Sequence, residues 1–588
     1  MVRANPCLSC GACCAYYRVS FHWSEAEKAL GGTVPASLTE ELTPFLRCMA
    51  GTNQKHPRCV ALRGVIGRRV RCRIHARRPS TCREFGPAWE SGAVRASDDG
   101  LARCNAARAA WGLVALEPGA QEARRRRAPL LRREGVILGL VLGVALLVRL
   151  WRLGTVPDVI NGDEAGAILH PLQILHGQTG GIFRLTHDGS VSYLAFASRA
   201  LVLAILGPGQ ALLAARLVVA VLSVVALVPF FALLRRHANL LVSALMTVAL
   251  AASYWYLNFS RVSWIAVDSV CLGLWLLFLL ERMLGRGRAG DFALGGLVAG
   301  LALYSYMGGR IYVVACGLTL LVWMVRARSG SFWGRLKRVG LWGLVAVVVF
   351  LPQVPALAAD WDDYTLRARR LYAFAPNLAT DQNPSYYGHR PTETVPVLLH
   401  QVAYALRGFL LFDPAVSAEG PENWRLVPPG RPAVGEPIAW LFWLGLAVAD
   451  VRRKGSLAWW LVYGLNLLLL QIPSIFVPSW SRGLGALPVI YLFAGLAVEE
   501  ACHLARGRRW RWVAAVVSLA LVLQAARDVS IYWRWARSDE YRRAQQPAIR
   551  VEEVAAWQRA ETSFIAAGKA PFTFYDWQNP DWREANGF

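Results

Sequence analysis

The sequence predicts a mainly α, polytopic helical membrane protein with a small Cys-rich domain at its N-terminus. Three observations lead there. Of 588 residues, 55% are hydrophobic and 24 are Trp, and the mean hydropathy is +0.33, too apolar for a soluble chain. The apolar residues are gathered into repeated runs of spanning length, and nine of the twelve cysteines precede the first run. A formal charge of +25 would suit a nucleic-acid partner in a soluble protein, but here Arg and Lys sit mostly in short stretches between apolar runs, where they set orientation. Nucleic acid is therefore not an expected partner; the bilayer is. The polar, Cys-rich start lacks an apolar h-region, so no cleavable signal peptide is expected.

Residues 1–120 form the first domain, polar and broken by Gly and Pro. "CLSCGACC" sets Cys7, Cys10, Cys13 and Cys14 in one turn, and Cys59, Cys72 and Cys82 follow, the last two within "CRIHARRPSTCREF". Thiolates spaced two apart suit tetrahedral zinc or an iron–sulfur cluster, because a tight turn aims both sulfurs at one centre. Metal ligation is preferred over disulfides because the topology below puts this head in the reducing cytoplasm. Cys48 and Cys104 are weaker members of the ligand pool. Residues 121–134, with "RRRRAPLLRR", read as a basic linker on the cytoplasmic side of the first span.

Residues 135–527 hold about eleven runs that meet the length of roughly 20 residues needed to span. They lie at 135–153, 211–234, 239–257, 263–281, 291–307, 311–326, 339–358, 434–450, 456–473, 484–500 and 510–527. With the N-terminus inside, the basic connections at Arg235 and Arg236, Arg282 to Arg288, Arg326 to Arg338, Arg452 to Lys454 and Arg506 to Arg511 all fall in the cytoplasm. The run 191–208 reads as an interfacial helix, since one more span would invert every later loop. Residues 528–588 are left as a short outer tail.

This topology collects Asp158, Asp163, Glu164, Arg261, Arg310 and Arg482 on the outer face. An ionisable group at a membrane edge is costly unless paired, hydrated or used. A lipid-linked sugar phosphate fits the set. Arg261, Arg310 and Arg482 would bind its phosphate bidentately, with Tyr304 and Tyr306 lining the donor site. Asp163 would take the acceptor's proton in an inverting single displacement, while Glu164 orients the acceptor or a metal. The structural alternatives are also plain. Asp163 and Glu164 suit the first turn of a helix starting near Ala165, Arg261 and Arg310 suit snorkelling anchors, and Arg216, inside an apolar run, suits a pair with a carboxylate or a helix end. His170, His176 and His187 share the acidic loop and offer ligands for a divalent metal, although a solvated loop explains each of them better.

"NGDEAGAILHPLQIL" resembles the first outer loop of GT-C type membrane glycosyltransferases that use polyprenyl-phosphate sugars, including protein O-mannosyltransferases and lipid A aminoarabinose transferases. The similarity continues in order through "ALLAARLVVAVLS", "YLNFSRVSW", "GLALYSYMGGRIYVV" and "SRGLGALPVIYLFAGLAV", over roughly residues 135 to 545. The resemblance implies a catalytic Asp at Asp163, an adjacent acid at Glu164 and an undecaprenyl- or dolichyl-phosphate sugar donor, with the site on the outer face of the cytoplasmic membrane. The acceptor, whether glycan, lipid or protein, stays unidentified, and the short C-terminal region departs from members with a large soluble domain. The head, over roughly residues 5 to 105, resembles a zinc- or iron-chelating domain marked by CxxCxxCC and a later C-x-I-[YH]-x-x-R-P-x-x-C-R-x-F, which implies metal binding. A lipid-linked substrate transporter or flippase is the competing class, but no repeated halves or acid-rich spans support it. A membrane-anchored metal or redox sensor would need one span, not eleven.

Overall fold

The computed structural model describes residues 10–586 except 68, 85–87, 91–92, 96–97, 114–119, 187–190, 328–330, 363, 366–371, 374–393, 419–424, 453–454, 475–476, 505–507, 546–547, 567–575 and 578. Cys7 and His187, both proposed as ligands above, lie outside the described residues. The chain divides into two compact units, Met1–Gly135 and Val136–Phe588.

In the first unit, β1 (Ser20–His22), β2 (Thr39–Thr43) and β3 (Leu46–Met49) form an antiparallel sheet in the order β1-β3-β2. Two hairpins follow, β4 (Leu62–Val65) with β5 (Arg69–Cys72) and β6 (Ala88–Glu90) with β7 (Ala93–Arg95). Phe21, Val34, Met49, Leu62, Val70 and Ile74 make the core. Gly11 has φ +66°, and a Cβ there would stand 2.9 Å from Val70, so glycine alone lets the cysteine turn lie against β5. The basic stretch expected as a linker is helical, within α1 (Ala120–Leu150).

The second unit is helical, and every apolar run expected to span falls on helix. Among the described residues, five segments are long and apolar enough to cross a bilayer: Pro208–Leu234, Met307–Arg326, Phe332–Ala359, Trp480–Leu504 and Ala514–Trp535. By the length and composition of these helices the chain is an integral membrane protein. Helices that position the site are α2 (Gly162–Leu175), α3 (Ala211–Val225), α4 (Ala266–Arg286), α5 (Ala289–Tyr304), α6 (Met307–Arg326), α7 (Phe332–Phe350), α8 (Glu436–Arg452), α9 (Leu487–Leu504) and α10 (Arg508–Trp535). Small residues allow the helices to close on each other. A Cβ at Gly445 would sit 1.9 Å from the Phe493 carbonyl oxygen, so α8 and α9 touch backbone to backbone. The run at 191–208 contains a helix of ten residues, Ala197–Leu206, about 15 Å long and half of what a span needs.

Residues after 527 are not a tail. α10 continues to Trp535, and β9 (Ala548–Arg550) pairs antiparallel with β8 (Val159–Asn161), Ile160 opposite Ile549. Trp557 is fully buried and packs with Ile160, Ala165, Ile168 and Leu172. The sequence misreads this segment because its apolar residues are few and widely spaced, and their partners lie some 390 positions away. Replacing Trp557 with Ala should destabilise the protein by about 3 to 5 kcal/mol, read as a lowered thermal midpoint in detergent. An unchanged midpoint would mean that the C-terminal segment does not pack on the acidic loop.

Candidate functional site

The acidic stretch is built from its backbone outward. Asn161, the last residue of β8, caps α2 by accepting a hydrogen bond from the Glu164 N–H at 3.0 Å, and its amide donates to Gln545 Oε1 at 2.7 Å. Asp163 and Glu164 therefore occupy the first helical turn, where the helix dipole favours acids. One position turns the side chain by about 100°, and the two acids part company. Asp163 is exposed on the outside of the turn. Glu164 is 1% exposed and bridges Arg216 bidentately, Oε1 to Nε at 2.8 Å and Oε2 to Nη2 at 3.1 Å. Oε1 also accepts the Ser263 N–H at 3.1 Å. Arg216, fully buried, spends Nη1 on the carbonyls of Leu153 and Pro157. Glu164 was expected to orient an acceptor or a metal, but its oxygens are already committed and out of solvent's reach. Arg216 has the carboxylate partner that its apolar surroundings demanded.

The three arginines expected at one phosphate are divided. Arg261 is completely buried. It donates to the carbonyls of Val148, Arg149, Trp151, Arg152 and Val156, and its guanidinium lies 4.5 Å over the Trp533 ring. It thus caps the C-terminal carbonyls of α1, satisfying groups that a helix end leaves open, so that most of its guanidinium serves the scaffold and only its Nε is left without a partner. Arg482 is 7% exposed. It donates to Ser474 Oγ and leaves its Nε unpartnered. A π-helical stretch, Asn466–Gln471, puts its first and last residues on one side, and both hold the 479–482 turn. Gln471 pairs with the Ser479 backbone, and Asn466 donates to the Arg482 carbonyl at 3.1 Å.

Arg310 stands in the first turn of α6, half-buried, with the Tyr364 ring 5.6 Å from its guanidinium. A cation there opposes the helix dipole unless an anion joins it. It lines a cleft with Tyr304, Ser192, Gln353 and apolar neighbours. Tyr304 contributes its ring as a wall, since its hydroxyl donates to the Val349 carbonyl at 2.9 Å. Tyr306 precedes α6 and packs with Ala167, Val191, Phe196 and Ile265. Ala167 lies one turn beyond Asp163 on the same face of α2, and Val191 also lines the Arg310 cleft. Tyr306 thus packs with a residue one turn along α2 from Asp163, and Val191 is shared between that cluster and the Arg310 cleft.

Three other polar groups belong to the scaffold. Arg199 is buried on Asp268, with contacts of 2.7 and 3.2 Å. Arg149 is buried on Ser223 and two carbonyls. His170 contacts Gln173 and stacks near Phe196, while His176 is exposed at the end of α2. Among the described residues, no three His, Cys, Asp or Glu side chains are grouped to hold a metal ion, so the divalent-metal reading gains no support at this loop.

In the first unit, the cysteine turn is stitched to both later pieces of the motif. The Cys59 N–H donates to the Cys14 carbonyl and the Gly67 N–H to the Cys10 carbonyl, each at 2.9 Å. Burial raises the Cys14 thiol well above its ordinary range, and the nearby thiols of Cys13, Cys82, Cys59 and Cys72 raise it further. Cys82 is pushed up to about 12 by burial and then by Cys59 and Cys72. Cys14, Cys59, Cys72 and Cys82 thus act on one another's charge, although among the described residues no three of them are grouped closely enough to hold a metal ion. Cys13 acts on Cys14 and Cys82 as well, its own thiol raised first by a hydrogen bond with Cys104 and then by burial. Cys104, a weak candidate in the sequence, joins the group through a helix, Asp98–Ala110, that carries no motif. Cys48 lies beside Thr52 and Glu40 instead.

Residues 6–100 match the CxxCxxCC family model, described as "Putative zinc- or iron-chelating domain". The E. coli O157:H7 protein described as "Uncharacterized protein YkgJ" is 54% identical over 116 residues, 20% of this chain and all of that protein. The chain belongs to the CxxCxxCC family. A second relative, the "Putative ferredoxin" of Acinetobacter calcoaceticus, is 49% identical over 112 residues, 19% of this chain and 78% of that one. Similar solved structures include ArnT from Cupriavidus metallidurans bound to undecaprenyl phosphate, 15% identical with TM-score 0.45, covering 73% of this chain and 79% of that one. The S. cerevisiae protein O-mannosyltransferase Pmt1-Pmt2 complex bound to the sugar donor is 16% identical with TM-score 0.33, over 43% and 37%. The Archaeoglobus fulgidus oligosaccharyltransferase is 13% identical with TM-score 0.44, over 68% and 53%.

Removing one member of the buried pair strands its partner's charge, at a typical cost of about 3 to 5 kcal/mol. Glu164→Gln and Arg216→Met should each lower the thermal midpoint strongly, whereas the double variant should recover most of the loss. Additive losses in the cycle would show that the two side chains are not coupled.

Proposed function

We propose that the membrane unit is a glycosyltransferase that moves a sugar from a polyprenyl-phosphate carrier to an acceptor on the outer side of the cytoplasmic membrane. The reading is supported above all by one contrast. Arg310 and Arg482 have no carboxylate partner among the described residues, while the adjacent acids are split into a buried, neutralised Glu164 and an exposed Asp163. In the reaction, Asp163 takes the proton of an acceptor hydroxyl or amine as that atom bonds to the anomeric carbon. The bond from that carbon to the phosphate oxygen breaks, and its electron pair leaves with the lipid phosphate. Arg310 and Arg482 offset the charge that develops there. Single displacement inverts the anomeric centre.

Asp163→Asn should reduce sugar transfer by at least a hundredfold, in the range of a lost general base, while membrane insertion and lipid-phosphate binding persist. Transfer is followed with radiolabelled polyprenyl-phosphate sugars. Turnover near the wild-type rate in this variant would remove Asp163 from the mechanism.

For the N-terminal domain we propose a cytoplasmic zinc or iron site held by Cys14, Cys59, Cys72 and Cys82, with Cys7, Cys10 and Cys13 completing the ligand pool. The donor chemistry fits, since soft thiols suit either metal. A bound cation would also reverse the upward pressure on these thiols by stabilising thiolates. Full-length protein purified without oxygen should carry zinc or iron by elemental analysis. Cys14→Ser should lower the content at least twofold, and Cys48→Ser should not. Metal-free wild-type protein would exclude the assignment.

A further inference from the structure

The cleft beside Arg310 holds two polar side chains whose hydrogen-bonding capacity is unspent. Gln353 follows Pro352 at the end of α7 and is 3% exposed, yet neither its Nε2 nor its Oε1 has a partner. Ser192 is also 3% exposed. It occupies the N-cap of a short turn, Tyr193–Phe196, where a Ser hydroxyl ordinarily accepts from the following backbone, but it makes no such bond and its Oγ is unpartnered. Buried amides and hydroxyls left open typically cost about 1 to 3 kcal/mol each, and native structures keep few of them. Both line the cleft that Arg310 enters, with Leu185, Val191 and Phe350 as apolar walls.

The walls are fixed independently of any ligand. Thr186 bonds the Val191 carbonyl through its N–H and its hydroxyl, at 2.9 and 3.0 Å, which closes the loop that carries Ser192. Tyr304 is held on Val349. The cleft is tight, with room for a group about the size of a water molecule. A sugar ring does not fit inside it, but a single hydroxyl does.

We propose that Gln353 and Ser192 form a specificity subsite for one hydroxyl of the donor's sugar, with the sugar's phosphate on Arg310 at the mouth. This inference rests on the glycosyltransferase reading above. The Gln353 amide donates to the sugar hydroxyl and its carbonyl oxygen accepts from it, while Ser192 supplies a second donor. Sites that hydrogen-bond a substrate hydroxyl reject the analogue lacking it by factors of about 10⁴ or more, because their own polar groups are then left unpaired.

The test compares polyprenyl-phosphate sugars with their single-deoxy analogues on the full-length membrane protein. Wild-type enzyme should discriminate against one deoxy position by at least a hundredfold in kcat/KM and tolerate the others. Gln353→Leu, of similar volume, should reduce that discrimination to less than tenfold while leaving the thermal midpoint unchanged or raised, since no existing bond is lost. Ser192→Ala should reduce it partly. A lowered midpoint with discrimination intact would mark Gln353 as structural and overturn the proposal, as would equal use of every deoxy donor by an active wild-type enzyme. Absence of transfer from every parent sugar would instead defeat the glycosyltransferase reading, and the subsite with it.

Discussion

The buried Glu164–Arg216 ion pair is the constraint on which the site depends. Glu164 receives two guanidinium donors and the Ser263 N–H, and Arg216 returns its remaining reach to Leu153 and Pro157. Four separate stretches of chain therefore converge: the exit of α1, the start of α2, the middle of α3 and the turn before α4. Two charges out of water carry a large desolvation penalty, which good geometry and saturated hydrogen bonding can offset. Here nearly every lone pair and proton is used. The consequence for Asp163 is positional. Its neighbour is pinned in a dry interior, so the first turn of α2 has one permitted rotation, and that rotation turns Asp163 outward.

The same accounting sorts the other arginines. In low-dielectric surroundings a guanidinium needs partners for its five N–H groups. Arg149 and Arg261 find carbonyls at helix ends, and Arg199 finds Asp268. These three are largely spent in holding helices together, although the Arg261 Nε is left without a partner. Arg310 and Arg482 differ because neither meets a carboxylate among the described residues, and each is attached to a turn that other residues already hold. A cation kept in place by its backbone and left short of counter-charge is disposed to receive an anion. That disposition, more than the mere abundance of arginine, separates the candidate site from the scaffold.

Much of this was legible in the sequence, and its failures have physical causes. The apolar runs marked the helices because length and composition suffice for that. "CLSCGACC" marked the metal-binding domain because ligand spacing is local. Asp163 and Arg310 were singled out by their place at helix ends, but so was Arg261, which the structure makes a helix cap. A cap and a ligand look alike in sequence, since both put arginine beside the apolar run, and only the carbonyls of α1 distinguish them. Gln353 and Ser192 carried no signal at all, and Cys104 only a weak one. The first two matter for bonds they do not make, and Cys104 owes its place to a helix outside the motif.

The residues after 527 bring the last element of control. β8 is three residues long and has β9 as its partner, and Asn161, which ends it, reaches both the N-terminus of α2 and Gln545. Asp158 at the other end of the strand meets Arg542 at 2.8 Å. An isolated strand pair of this size has little stability of its own, so its persistence depends on Trp557 and the buried neighbours packed with it. The acidic loop is thus gripped from within by Arg216 and from the outer side by the C-terminal segment. Such a double grip suits a base that must present one carboxylate oxygen to an acceptor within a few tenths of an ångström. The C-terminal segment is thereby part of what holds the first turn of α2 in place, and with it the direction in which Asp163 is presented.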